Sequence, residues 1–160
     1  LIFLDMPGFM LGSHAERIAT MRRGARALIA SAECQVPKIE FMVRKSYGVA
    51  ADAPNSIGLP NGINLRFGWP SGEWGGIPIE GGVAAAYRRE IEAADNPAAH
   101  REAIEERLLR LRSPFKAAHK GDVVDLIDPR ETRALACRFV KLAQPKLAEL
   151  ANRPKRAVRP

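Results

Sequence analysis

The chain opens on apolar positions. Leu1-Ile2-Phe3-Leu4-Asp5 reads as a buried strand, and Asp5-Met6-Pro7-Gly8-Phe9 breaks it. A strand with no turn ahead of it is what a chain shows when it begins inside a larger fold, so a fragment or a subunit is expected. Ser13 and Glu16 have capping-box spacing. Ile18, Met21, Ala25, Leu28, Ile29 and Ala32 then recur at three and four, which predicts a helix over 14–33 with that face toward the core. Pro37 ends this connection. Ile39–Val43 is a second strand, running into Arg44-Lys45-Ser46-Tyr47-Gly48. A Gly/Pro/Asn-rich bend over 53–62 leads to a third strand, Leu65–Trp69. Strand, helix, strand with short loops predicts parallel pairing with helices against a face.

The middle is dense in glycine: Gly68, Gly72, Gly75, Gly76, Gly81 and Gly82. Such spacing marks tight turns or close backbone packing, and neither a Walker pattern nor a dinucleotide fingerprint is present. From Val83 the pattern is helical. Residues 97–112 form the clearest amphipathic helix, with Ile104, Leu108 and Leu111 on one face and Glu/Arg pairs on the other. Asp122–Asp128 is a short strand-like run. Asp128-Pro129 opens a last helix with proline at its first position, and Leu135, Phe139 and Leu142 give its buried face. Past Leu150 the chain is expected to be loose.

At 160 residues and 46% hydrophobic, this is one ordinary domain's worth of globular sequence. Apolar runs stay well below the roughly 18 residues of a membrane span. The net charge of +7 invites a nucleic-acid partner, so its location decides. The last ten residues hold Arg153, Lys155, Arg156 and Arg159 and no acid; +7 less these four cations leaves +3 for the rest. The body is mildly basic, and the tail is a solvated end or an arm for an anionic partner. Aromatic residues are few and not interleaved with the basic ones as a base-stacking surface requires, so nucleic-acid binding is not expected. Cys34 and Cys137 lie far apart without a second ligand at metal spacing, which reads as two reduced thiols of a cytoplasmic protein and no metal site.

His14, His100 and His119 are isolated and read as surface or capping residues. No nucleophile elbow and no HExxH motif occurs. Backbone chemistry remains. The strand that ends at Tyr47 is followed by Gly48-Val49-Ala50-Ala51-Asp52, which places small residues at a strand-to-helix turn. Amides at such a turn point outward, and the helix dipole adds positive character. That construction makes an oxyanion hole able to stabilise an enolate without a titrating side chain; a plain tight turn is the alternative.

The order of segments resembles the C-terminal part of the carboxyltransferase (β) subunit of biotin-dependent acyl-CoA carboxylases, of the propionyl-CoA and acetyl-CoA carboxylase type. Asp5-Met-Pro-Gly-Phe9 with Gly12-Ser13 resembles D-x-P-G-F…G-[ST]. Arg23-Gly24-Ala25 resembles H-G-A, Val36-Pro37-Lys38 resembles V-P-K, and Arg44–Gly48 resembles R-K-[AS]-Y-G. Trp69-Pro70-Ser71-Gly72-Glu73 is similar to W-P-[TS]-A-E, Gly81-Gly82-Val83 to Q-G-A-V, and Asp128–Arg133 to D-P-R-E-T-R. The likeness runs in order from residue 1 to about 150.

The resemblance implies an α/β, crotonase-like (ClpP/crotonase) spiral of ββα units, with residues 1–150 a fragment of the biotin-side domain and 151–160 a basic tail. It implies an N-terminal half, absent from this stretch, that holds coenzyme A. It also implies carboxyl transfer from carboxybiotin to the α-carbon of an acyl-CoA, in a larger homo-oligomeric assembly with a biotin carboxylase and a biotin carrier. The amides of Val49 and Ala50 would then hold the ureido oxygen. Gly48, Asp52, Gly81 and Gly82 would line the substrate and biotin site, and Asp52 would bear on acyl choice. The chain departs from the family at Val49 for glycine, at Ala51 for tyrosine, at Pro78 and Glu80, and around Asp95–Arg112. A decarboxylase of the same fold and a degenerate, non-catalytic assembly subunit are the alternatives.

Overall fold

The computed structural model describes residues 1–54 and 63–151. Most of the bend expected over 53–62, and the tail beyond Ala151, lie outside the described residues. The strands are β1 (Ile2–Met6), β2 (Lys38–Tyr47), β3 (Asn64–Gly68), β4 (Glu73–Gly75) and β5 (Asp125–Leu126). The helices are α1 (Ser13–Arg17), α2 (Thr20–Glu33), α3 (Gly48–Asp52), α4 (Ile79–Ala86), α5 (Arg88–Glu92), α6 (Pro97–Leu111), α7 (Pro114–Lys120) and α8 (Thr132–Ala151), the last entered through a 3₁₀ turn at Pro129–Glu131.

The sheet runs β1-β2-β3-β5, with β4 on β2, and every pairing is parallel as the strand–helix–strand order predicts. β2 is its axis. Lys38–Met42 pair with β3 and Lys45–Tyr47 with β4, so one long strand joins two shorter neighbours end to end. Its burial is nearly continuous, as a parallel strand covered on both faces requires. Side-chain alternation divides the core. Ile39 and Phe41 pack with Phe67, Ile127, Phe139 and Ala143 on the α8 side. Met42 packs with Leu4, Ala51 and Val123 on the other. A third cluster, Ile79, Val83 and Ile104, joins α4 to α6. Phe3, Phe41 and Phe67 share a register and stack across three strands, at 5.7 and 5.9 Å between centroids.

Several expectations change. The segment over 14–33 is two helices, because Ala19 adopts a left-handed φ of 56° between them. Ser13 makes no cap, since Gly12 holds the N-cap position and no side chain bonds there. Most of the predicted core face is uncovered: Ile18, Met21, Ala25 and Ile29 are exposed, Leu28 and Ala32 are half-buried, and only Gly24 of α2 is buried, under the Phe9 ring. β1 buries Leu4 alone, leaving Leu1 and Phe3 exposed. Leu111 and Leu142 are also exposed, while Ile104, Phe139 and Ala143 carry the packing. In each case periodicity located an apolar stripe, but among the described residues no element lies over these exposed positions. Asp128 and Glu131 form the reciprocal capping box that opens the last helical segment.

Candidate functional site

The β2–α3 junction sits at the edge of a cleft of about 1340 Å³. Gly48, Ala51 and Asp52 form one wall, Ile77 and Ile79 the wall at the start of α4, and Arg112, Phe115 and Lys116 the α6–α7 side. The sequence explains the sharp turn. Tyr47 is extended (φ −117°, ψ 128°), Gly48 takes φ +60°, and the chain is helical at once. An L side chain disfavours that φ, and a Cβ on Gly48 would lie 3.1 Å from the Gly76 carbonyl oxygen, so the approach of β4's exit to α3 needs glycine.

Val49 and Ala50 occupy the first turn of α3, where a helix has N–H groups beyond its own hydrogen-bond ladder. No side chain caps that turn. Ala50 is buried and the Val49 side chain is exposed. Of the expected residues, Gly48 and Asp52 line the cleft. Gly81 and Gly82 lie in the first turn of α4, behind Ile79, with Gly81 at φ +80° and Gly82 against Ile77 and Pro78. Pro78 is the N-cap residue of α4 and breaks no helical hydrogen bond there.

Two polar groups carry no mark in sequence periodicity. Buried Tyr47 donates its hydroxyl to Glu73 Oε2 at 2.8 Å, and Arg112 NH1 donates to the same oxygen at 3.0 Å. Arg66 NE donates to Glu40 Oε2 at 2.8 Å beneath the cleft, and its NH1 reaches Asp52 at 3.4 Å. A lone acid in β2, Glu40, and a lone cation in β3, Arg66, are the signal that could have found the second. Nearby, burial pushes the Lys38 ammonium down from its ordinary pKa, and its Nζ donates to the Ser31 hydroxyl at 2.8 Å. His100 contacts Glu90 on the surface at 2.9 Å, and His119 stands at the cleft's lip. Among the described residues no three His, Cys, Asp or Glu side chains gather as a metal group, and no helix is long and apolar enough to cross a membrane.

Residues 1–158 match the carboxyl transferase domain. The chain belongs to the carboxyl transferase domain family. It is 40% identical over 134 residues to the carboxyltransferase subunit of propionyl-CoA carboxylase from Haloferax mediterranei, covering 83% of this chain and 26% of that protein. It is 34% identical over 134 residues to the methylmalonyl-CoA decarboxylase subunit alpha of Propionigenium modestum, covering 83% and 26%. Among solved structures it superposes on a transcarboxylase 12S hexamer with methylmalonyl-coenzyme A bound, at TM-score 0.72 and 32% identity, covering 99% of this chain and 29% of that one. The fold of this carboxyl transferase domain is therefore the crotonase-like α/β type. The chain spans about a quarter of the length of the curated relatives it matches.

Proposed function

We propose that this chain is the biotin-side portion of an acyl-CoA carboxyl transferase. The carrying observation is the β2–α3 turn at the cleft, with a left-handed Gly48 and an uncapped first helical turn. Biotin fits this turn: its ureido oxygen is an acceptor that two N–H groups can hold, and a side chain on Gly48 would disturb the backbone that aims them. When bound, biotin supplies the carboxyl group that is transferred to the α-carbon of the acyl-CoA. Val49 and Ala50 would bind and orient the oxygen through their amides, which stabilise negative charge without a proton transfer of their own. Gly48 sets the direction of the donors. Ile77 and Ile79 shield that wall from water, and Asp52 bears on the acyl group at the mouth.

Coenzyme A would be held by an N-terminal half, and biotin would arrive on a carrier served by a biotin carboxylase, in a homo-oligomer. The exposed Leu1, Phe3, Ile18, Met21 and Ile29 support a larger assembly, since apolar surface of this kind is normally covered. Two free thiols, Cys34 and Cys137, support a cytoplasmic setting. The test is transfer of a labelled carboxyl group between methylmalonyl-CoA and free biotin by the full-length subunit with its partners. Biotin-dependent transfer is expected, and net release of CO₂ would assign the decarboxylase direction. A folded assembly that moves no label would overturn the proposal and leave the non-catalytic assembly role.

A further inference from the structure

Glu40 and Arg66 are direct partners in the parallel register of β2 and β3, so both side chains leave the sheet on one face, the face covered by α3. The Glu40 side chain is fully buried and that of Arg66 only 7% exposed. A carboxylate in that setting requires its cation, because removing one partner leaves an uncompensated buried charge. Arg66 NE makes the short contact, 2.8 Å to Glu40 Oε2. Its NH1 stands on the other side of the fork and donates to Asp52 Oδ1 at 3.4 Å. Asp52 is 67% exposed at the cleft. One guanidinium thus ties an interior carboxylate to a carboxylate at the mouth. The rigid fork permits this, since different nitrogens face the two acceptors, whereas a lysine presents all three of its donors from one point charge and lacks the fork's span.

Asp52 is the last residue of α3. A five-residue helix has too few internal hydrogen bonds to hold itself, so its orientation depends on tertiary anchors. Ala50 and Ala51 anchor it by burial, and Arg66 anchors its C-terminal end by charge.

We propose that Arg66 is a positioning residue: clamped by Glu40, it fixes the Asp52 carboxylate and the end of α3, and thereby sets which acyl groups the mouth accepts. The second half of this statement rests on the functional reading above; the first does not.

Two variants of the full-length subunit in its assembly separate the roles. Arg66→Lys keeps a cation for Glu40 and loses the reach to Asp52. Glu40→Leu/Arg66→Met removes the buried pair without leaving an orphan charge. Amide hydrogen exchange is read across the chain, and kcat/KM for acetyl-, propionyl- and butyryl-CoA is compared with that of Asp52→Ala. Both variants should exchange faster in α3 than in β2 and β3. Both should shift the ratio of kcat/KM between acyl-CoAs in the direction of Asp52→Ala, by about 10-fold, the lower end of single-methylene discrimination. Adding Asp52→Ala to either should change the ratio little further, since the two act through one group. Unchanged α3 exchange in both variants overturns the positioning role, whatever the activity. Faster α3 exchange with an unshifted ratio removes Arg66 from acyl selection. Faster α3 exchange in an assembly that is inactive even as wild type upholds the positioning of Asp52 and overturns the carboxyl-transfer reading instead.

Discussion

Glu73 Oε2 receives the Tyr47 hydroxyl at 2.8 Å, one residue before the left-handed glycine that starts α3. Arg112 donates to the same oxygen and lies 5.4 Å from the Tyr47 ring centroid, so a carboxylate and a cation bracket one phenol. The end of β2, strand β4 and the C-cap of α6 are thereby joined at the cleft. Tyr47→Phe removes one donor from Glu73 and should cost about 1 kcal/mol. Arg112→Met removes charge and ring contact together and should cost more, about 1–3 kcal/mol. Urea unfolding of the two variants checks the order; a costlier Tyr47→Phe would mean that the phenol, and not the cation, holds Glu73.

Gly48 and Gly76 offer a paired test of the turn. Gly48→Ala forces an L residue to φ +60° and sets a Cβ 3.1 Å from a backbone oxygen. The left-handed conformation alone costs roughly 1–2 kcal/mol. Gly76→Ala meets nothing within 4 Å and should change stability little. The melting temperature should fall for the first and hold for the second, and carboxyl transfer should fall with the first. Equal behaviour of the two would show that the turn tolerates a side chain.

Acid should weaken the entry to α8. The Arg130 guanidinium and backbone N–H hold the Asp128 carboxyl down at about 2, below its ordinary 3.8. A carboxylate depressed by folding stabilises the native state above the unfolded pKa. That contribution is lost as pH falls from 3.8 through about 2. Because the pair is solvent-facing, the effect should be small and weakened by salt. Asp128→Asn should flatten the urea midpoint against pH in this window while lowering it slightly at pH 7. An unchanged acid limb would assign it to other groups, such as Asp5, which Arg44 also holds below its ordinary value.

What could be read from the sequence was what local chemistry dictates. The β2–α3 turn followed from small residues after a strand, and the start of the last helical segment from Asp128-Pro129. The parallel sheet followed from element order. Burial of a given face did not follow, because it depends on what lies opposite. Met21 and Ile29 carry the same periodicity as Ile104, yet among the described residues they stay exposed while Ile104 packs against α4. Arg66 and Glu40 were missed for a related reason: a charge in an apolar strand becomes interpretable only when register sets its partner beside it.

Val49 puts the amide mechanism to the sharpest test. If Val49 and Ala50 act through N–H groups, the donor matters more than the side chain, and the Val49 side chain is exposed in any case. Val49→Gly should keep or raise transfer, although glycine adds unfolded-state entropy and lowers stability somewhat. Val49→Pro deletes the donor. Proline is tolerated in the first turn of a helix, so the fold should survive where the chemistry does not. Loss of one oxyanion donor costs about 10²–10³ in kcat, or roughly 3–4 kcal/mol of transition-state stabilisation. The comparison is made on variants whose circular dichroism and melting temperature show a native fold, in the complete assembly with free biotin as acceptor. A folded Val49→Pro enzyme within about twofold of the parent, where the amide mechanism requires at least about a hundredfold loss, would remove this N–H from the reaction. The turn would then be a structural junction, and biotin would have to be held elsewhere in the cleft.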